Sequence, residues 1–382
     1  MHLRQILSIL LIINAVSGRC QEITRAVATT RYEHPSLTER VFIGSNFRDI
    51  WAMPITVKVF RVSTEKGGLT IKELGGGMQT KSLRMEDKSG QNWVLRSVDK
   101  NVDKAMDAEG IKSPFLRSIA QAMISGAHPY ASVTIAPMAK ALGFVNTEPE
   151  VFYVPDDPAL GEYRKTFANT ICLLEKREPV LYAGDKTADT KKMLKDLSGN
   201  KNYRLDQKML LQARLLDMLI VDWDRHGDQW KWEYHKDGEV TTIYPIPRDH
   251  DQAFFTSTGL LIKMVRPFKM KEIVGLTKKS RRIAKLSRKA VDFDDVLLKD
   301  LTEADWREGI QTFQAKLTDA VIMEGVKRLP PEVYKAQGED LYNTLRSRRD
   351  SMPKAAMAYY EFLQKHEADP ERVASWRKVK KG

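Results

Sequence analysis

The chain has 382 residues, 42% hydrophobic and 29% charged, enough for one large domain or two lobes. Its formal net charge of +12 favours association with polyanions such as nucleotides, nucleic acid or anionic lipid headgroups, and says nothing about fold. The 2 cysteines, Cys20 and Cys172, exclude a cysteine metal cluster, and only Cys172 lies clearly within the mature chain, which excludes an internal disulfide.

Residues 1–20 run from Arg4 through the apolar stretch 6–13 to the small residues Ala15, Val16 and Ser17. That is the order of a secretory signal peptide, and the run is too short to span a bilayer comfortably. Export to the periplasm or outer envelope is the expectation. No second apolar stretch approaches spanning length, so no transmembrane segment is expected in the mature chain.

Residues 32–37 read as loop, and Ile55 to Phe60 alternate as a strand does. Residues 67–85 read as strand, glycines (Gly75, Gly76, Gly77), strand, and a third strand follows at 92–98. A glycine turn of this kind lets backbone amides approach a phosphate, but it matches neither the dinucleotide fingerprint nor the P-loop. Residues 114–143 are helical in two pieces broken at His128-Pro129-Tyr130. Strands follow at 151–154 and 170–175, with an acidic loop at Asp156-Asp157-Pro158.

The polar, Lys-rich stretch 184–202 reads as a surface excursion or mobile linker. Asp206 then caps a helix whose apolar positions Leu210, Leu211, Leu215, Met218 and Leu219 give a wide buried face. Beyond Phe255 the pattern is mainly helical, at roughly 303–327, 331–336 and 338–365, with Pro330-Pro331 and Pro353 as breaks or first-turn prolines. Trp306, Ile310, Phe313, Leu317 and Val321 recur at helical spacing and read as core. Two basic runs, 278–289 and 372–381, read as surface or tail segments.

The chemistry concentrates between residues 222 and 254. Asp222, Asp224, His226, Asp228 and Gln229 open this stretch, an alternating run at 239–244 suggests a β-hairpin, and Asp249, His250 and Asp251 close it. Carboxylates packed this closely repel one another and are best tolerated where a cation or a proton-transfer task compensates them. Phosphoryl transfer needs such a set: an acid to orient the acceptor hydroxyl, divalent cations on the phosphates, and donors around the β and γ phosphates.

Asp224-Arg225-His226 resembles the catalytic loop of atypical kinases, namely the phosphatidylinositol kinases, the HipA toxin kinases and the secretory-pathway protein kinases. Residues 247–254, Pro-Arg-Asp-His-Asp-Gln-Ala-Phe, resemble the metal-binding Asp-x-Asp segment of the CotH spore-coat kinases. The resemblance implies a two-lobed, α+β atypical protein-kinase-like fold, with a β-rich N-lobe over 21–176 that carries a helical insert. A mainly helical C-lobe over 177–368 would carry the catalytic hairpin 222–254, followed by a charged tail at 369–382. It implies Asp224 as acid/base, with Arg225 and His226 completing the catalytic loop. ATP would be held by Gly75, Gly76, Gly77, Lys81, Arg96 and Glu175, the last at a hinge beside the adenine. Mg or Mn would be held by Asp228, Gln229, Asp249 and Asp251. Three features depart from the pattern: Arg96 stands where a phosphate-pairing Lys is expected, Gln229 where those families keep Asn or Glu, and no Gly follows the metal Asp.

Over most of its length the chain also resembles a segment of Bacteroidota envelope proteins, through residues 75–84, 153–161 and 222–226. That segment commonly lies beside a metallophosphoesterase and a surface-antigen barrel, neither of which is visible here. The leading expectation is therefore an exported kinase-like protein that takes a nucleotide and passes phosphate to a protein or envelope component. A catalytically inactive pseudokinase or binding module of the envelope is the second, and a metal-dependent phosphohydrolase using His226 and His250 the third. Nucleic-acid binding has only the net charge behind it and is not expected.

Overall fold

A computed structural model describes residues 22–75, 79–261, 263–264, 271–371 and 373. The expected signal peptide 1–20, Gly76, Gly77 and most of the charged tail lie outside them. The fold is α+β, with a β-rich lobe followed by a mainly helical one. No helix among the described residues is long and apolar enough to cross a membrane.

The first lobe is a sheet of β1 (Ile23–Ala26), β2 (Ile55–Val59), β3 (Leu69–Gly75), β4 (Ser82–Asp87), β5 (Asn92–Ser97), β6 (Glu150–Val154) and β7 (Thr170–Lys176). Its spatial order is β1-β2-β6-β7-β5-β4-β3. Alternation along β4 and β5 sends Leu83, Met85 and Leu95 into a core with Phe152, Cys172 and Leu174. Ser82, Arg84, Val94 and Arg96 therefore face the other way and floor a cavity. In register, Ser82 pairs with Arg96 and Arg84 with Val94, so this floor is one continuous patch of two strands.

A second sheet, ordered β8-β10-β11-β9, consists of β8 (Lys186–Ala188), β9 (Tyr203–Leu205) and the hairpin β10 (Trp230–Asp237) and β11 (Val240–Pro247). The hairpin matches the alternation expected at 239–244. The stretch 184–202, expected as a surface excursion or mobile linker, carries regular secondary structure. It supplies β8 and a helix, α1 (Thr190–Gly199), whose Met193 and Leu194 are buried and whose N-terminus is capped by Asp189. Thr190 Oγ1 donates to Gly227 O and accepts from Trp232 Nε1 at 3.0 Å, so this polar stretch buttresses the acidic loop.

The central helix is α2 (Gln207–Ile220), capped by Asp206, whose side chain accepts from Met209 N at 2.8 Å. It is buried on nearly every side, including Arg214 and Asp217. Its last four carbonyls all find specific donors, as a buried helix end requires. Asp217 O accepts from Asp222 N at 3.0 Å and Ile220 O from Phe254 N at 2.7 Å. Met218 O and Leu219 O accept from the Arg348 guanidinium at 2.8 and 2.7 Å. Val221 then turns left-handed at φ 59°, an uncommon state for a β-branched residue, held here by complete burial of its side chain.

Helices α3 (Glu303–Lys316), α4 (Asp319–Val326) and α5 (Pro331–Gln364) complete the core. Pro353 is neither a break nor a first-turn proline: α5 runs through it for 34 residues. Proline removes the N–H that would serve the Arg349 carbonyl. Gln314 Nε2 donates to that carbonyl instead, at 3.2 Å.

Arg348 is 1% exposed and also donates to Thr277 O and Lys279 O at 3.0 and 3.1 Å. Arg348→Met should leave several buried carbonyls without donors, at about 1–3 kcal/mol each, and lower the melting temperature by roughly 5 °C or more. Calorimetry or dichroism checks this; an unchanged melting temperature would contradict the capping role.

Candidate active site

Arg225, expected in the catalytic loop, does not line the cavity described below. Its side chain is 1% exposed and points away from solvent, and every nitrogen of its guanidinium has a partner. Nε donates to Asp217 Oδ2 at 3.0 Å, and Nη1 donates to Gln229 O at 3.1 Å and to Arg248 O. Nη2 donates to Asp222 Oδ2 at 2.8 Å and lies 2.7 Å from His250 Nδ1, which is itself 3.2 Å from Asp222 Oδ2. One side chain thus ties the end of α2 to both ends of the β10–β11 hairpin. Beneath it Arg214 bridges Asp217 and Asp294 at 2.6 and 2.8 Å, and Tyr359 donates to Asp294 at 2.7 Å. Burial works against each charge, but the contacts prevail where they are closest. Asp222 is lowered below its ordinary range by Arg225 and His250, and Arg225 is raised by Asp217 and Asp222.

Asp217, Asp222 and His250 bring possible ligand atoms within 4.8 Å of one another, a spacing that could hold a metal ion. The Arg225 guanidinium already serves as the counter-cation of that group, touching Asp222 Oδ2, Asp217 Oδ2 and His250 Nδ1. The arrangement is a structural ion network, and the metal question moves to the cavity above it.

That cavity has a volume of about 740 Å³. Its polar part is lined by Arg96, Asp224, His226, Asp228, Gln229, Arg248, Asp249 and Asp251, so all but one of the acid-loop candidates converge. Asp224 is partly exposed; its N–H reaches Asp222 Oδ1 at 3.3 Å and its Oδ1 receives Lys289 Nζ at 2.5 Å. His226 Nδ1 accepts from Asp228 N at 3.3 Å, which braces the turn, and Asp228 is exposed at the mouth. Asp249 sits left-handed at φ 56°, with Arg96 Nη1 3.9 Å from its Oδ2. Asp251 Oδ2 is 2.8 Å from Lys100 Nζ, which is itself buried. Burial and the Asp249 charge push the Asp251 carboxyl above its ordinary value against the pull of Lys100. Burial lowers Arg248, and the Arg96 charge adds to that; Arg96 is raised by Asp249 and Glu175 despite burial.

Three nucleotide candidates stand elsewhere. Glu175 accepts from Arg96 at 3.2 Å and from Thr147 at 2.9 Å, so it positions Arg96 rather than lining the cavity. Lys81 is exposed, and its backbone rather than its side chain is engaged, its N–H donating to Ser97 Oγ at 3.0 Å. Gly75 is required by strand packing, because a Cβ there would lie 2.2 Å from Ser82 Oγ. Gly76 and Gly77 lie outside the described residues.

Sequence reasoning missed Lys289, Arg248 and Trp223. Lys289 lies 65 residues from Asp224 and its ammonium also sits 4.6 Å from the Trp223 ring centre, a pairing no local motif announces. One wall of the cavity is apolar, formed by Val102, Met106, Met123, Phe255 and Ile273 beside Trp223. Such a wall gives a ligand an apolar seat next to a charged end.

No family model matches the chain, and no curated protein sequence matches it. Among solved structures it is similar to the Helicobacter pylori proinflammatory kinase CtkA, at 12% identity and a TM-score of 0.41, covering 77% of this chain and 96% of that one. It is also similar to a chain of the Shewanella oneidensis MR-1 toxin–antitoxin complex of HipA, HipB and operator DNA. There the identity is 10% and the TM-score 0.37, covering 76% of this chain and 67% of the other. Both likenesses are loose, and no activity is assigned on them.

A cation held by Asp251 competes with a proton for a carboxyl that is held above its ordinary range. Mn affinity should therefore be full at neutral pH and fall on acidification at a higher pH than for an exposed aspartate. Lys100→Met removes the ammonium that opposes this and should move the midpoint further up. Mn titrations across a pH series check both; an affinity that does not change with pH would contradict the placement.

Proposed function

We propose that this chain is an exported atypical kinase that binds ATP with Mg or Mn and transfers phosphate to a protein or envelope component. One observation supports this above the others. Asp224, Asp249 and Asp251 open into one cavity, and each faces a cation of the protein: Lys289, Arg96 and Lys100. A ligand that brings anionic phosphates together with a divalent cation lets these pairs exchange partners. The carboxylates turn to the metal, the ammonium and guanidinium groups turn to the phosphates, and no charge is left unpaired in the cleft.

In the proposed roles Asp224 accepts the proton of the acceptor hydroxyl as its oxygen forms the new bond to phosphorus and ADP leaves. Asp249 and Asp251, with Gln229 and Asp228 within the same cavity, are the oxygen donors for the cation, a donor set suited to Mg or Mn. When bound, the cation would neutralise charge on the phosphates. Arg96 and Arg248 lie on the side of the strand floor and are placed to meet phosphate oxygens, with Glu175 holding Arg96 in position. Arg96 is a fixed guanidinium where related chemistry uses a lysine, which preserves the charge and changes the geometry.

The same departures favour a second possibility, a nucleotide-binding pseudokinase or binding module of the envelope, because Gln229 is a weaker cation ligand than a carboxylate and Lys289 neutralises Asp224. The phosphohydrolase alternative loses its second imidazole: His250 is 4% exposed and engaged by Arg225 below the cavity.

With ATP and Mg or Mn at about a hundredfold its dissociation constant, binding linkage adds about 2.7 kcal/mol to stability. The wild-type melting temperature should rise by several degrees, and the Asp249→Ala, Asp251→Ala double variant should lose that rise. Asp224→Asn should keep the rise and lose phosphate transfer by about a hundredfold or more. A rise without transfer in the wild type would select the pseudokinase; no rise with any nucleotide and metal would overturn the nucleotide site.

A further inference from the structure

Residues 278–288 have an amphipathic period. Ser280, Ile283, Leu286 and Ser287 are buried, and the intervening Lys278, Lys279, Arg281, Arg282, Lys285 and Arg288 are exposed. Among the described residues none of these six cations has a carboxylate within ion-pair distance, and the residues outside that set include no Asp or Glu. Elsewhere on the surface Arg61, Arg84, Arg164 and Lys208 each meet an acid. The row 278–288 is therefore an uncompensated positive face, well beyond the Debye-screened scatter of ordinary surface charge.

Beside it, Lys263 lines the same depression, about 510 Å³, as Lys278, Lys279, Arg281 and Arg282. Lys263 belongs to a helical turn closed by its N–H to Gly259 O at 3.2 Å. Leu260 and Met264, four residues apart and so on one side of that turn, are 46% and 61% exposed. Gly259 packs directly on the chain at Phe42, whose oxygen would lie 2.2 Å from a Cβ there, and Phe42 is itself 45% exposed. Large apolar side chains thus project next to unpaired cations, a combination that water does not favour.

We infer that this face docks on an anionic membrane surface, with Leu260, Met264 and Phe42 entering the headgroup boundary and the cations of 278–288 meeting lipid phosphates. Amphipathic basic elements bind bilayers by this division of labour. An acidic peptide would satisfy the cations and leave the apolar prongs in water, and single-stranded nucleic acid would call for stacked aromatic platforms among the cations. The same segment ends at Lys289 on Asp224, so the docked face borders the cavity. The inference does not depend on phosphate transfer.

The test is vesicle co-sedimentation of the chain without residues 1–20, which leaves every described element in place. Vesicles of equal parts phosphatidylglycerol and phosphatidylcholine are compared with phosphatidylcholine alone, over a salt series. The expected result is binding to the anionic vesicles at least about tenfold tighter, weakening as salt rises. A Lys278→Glu, Arg281→Glu, Lys285→Glu variant should lose on the order of a hundredfold, and Leu260→Asp, Met264→Asp should lose about tenfold or more. Melting curves verify that both variants fold, and the wild-type salt series decides if either does not. Equal binding to both vesicles, no binding, or variants that bind like wild type would overturn the inference. Loss in the charge variant alone, with a glutamate-rich peptide or a DNA oligonucleotide bound as tightly as the vesicles, would also overturn it in favour of another polyanion. ATP-induced melting shifts are read separately, so failure here leaves the nucleotide site standing and the reverse.

Discussion

The Arg225 guanidinium is the constraint on which the rest depends. Two loops separated by an eight-residue hairpin arm on each side must present their acids to one cavity, and loops alone do not hold that geometry. Arg225 uses every nitrogen it has to join Asp217 on α2, Asp222 and Gln229 before the hairpin, and Arg248 and His250 after it. A buried ion network adds little net stability against an apolar replacement, but removing one partner strands the others. Its value here is positional. It fixes the backbone from which Asp224 and Asp249 project, and it does so from below, leaving the cavity itself free for ligand.

Above that network the electrostatics have a different character. The cavity acids and cations are paired across elements that are far apart in sequence: Lys289 with Asp224, Lys100 with Asp251, Arg96 with Asp249 and Glu175. The carboxylates of these pairs keep some exposure, although Lys100 is buried, whereas the pairs around Arg225 and Arg214 are closed to water. The division separates a rigid support from a responsive site, as preorganised sites require. The left-handed Val221 and Asp249 flank the site, one just ahead of the acidic loop and one just after the hairpin. Backbone strain is carried there by tight burial on one side and by the hairpin register on the other.

Much of this was legible in the chain because the signals are local. The 3.6-residue period of α2, its Asp206 cap and the acids that follow it lie within one stretch, and the alternation at 239–244 marks the hairpin. Composition misled at 184–202, where lysines on the outer face of α1 hide the inward Met193 and Leu194. Pro353 was read as a break or first-turn proline because the side chain that compensates it, Gln314, belongs to another helix. The same limit explains the site. Lys289 and Arg348 act through tertiary contacts that no spacing rule reaches, and so do the packing of Gly75 on Ser82 and the contact of Glu175 with Arg96.

The most direct test is crystallography of the protein with a non-hydrolysable ATP analogue and Mn, read by anomalous scattering. The expected result is a Mn peak at bonding distance from a carboxylate oxygen of Asp249 or Asp251, with the terminal phosphate on the side of Asp224 and Arg225 still buried beneath. A peak among Asp217, Asp222 and His250 with Arg225 displaced, or nucleotide density outside the cavity, would contradict it.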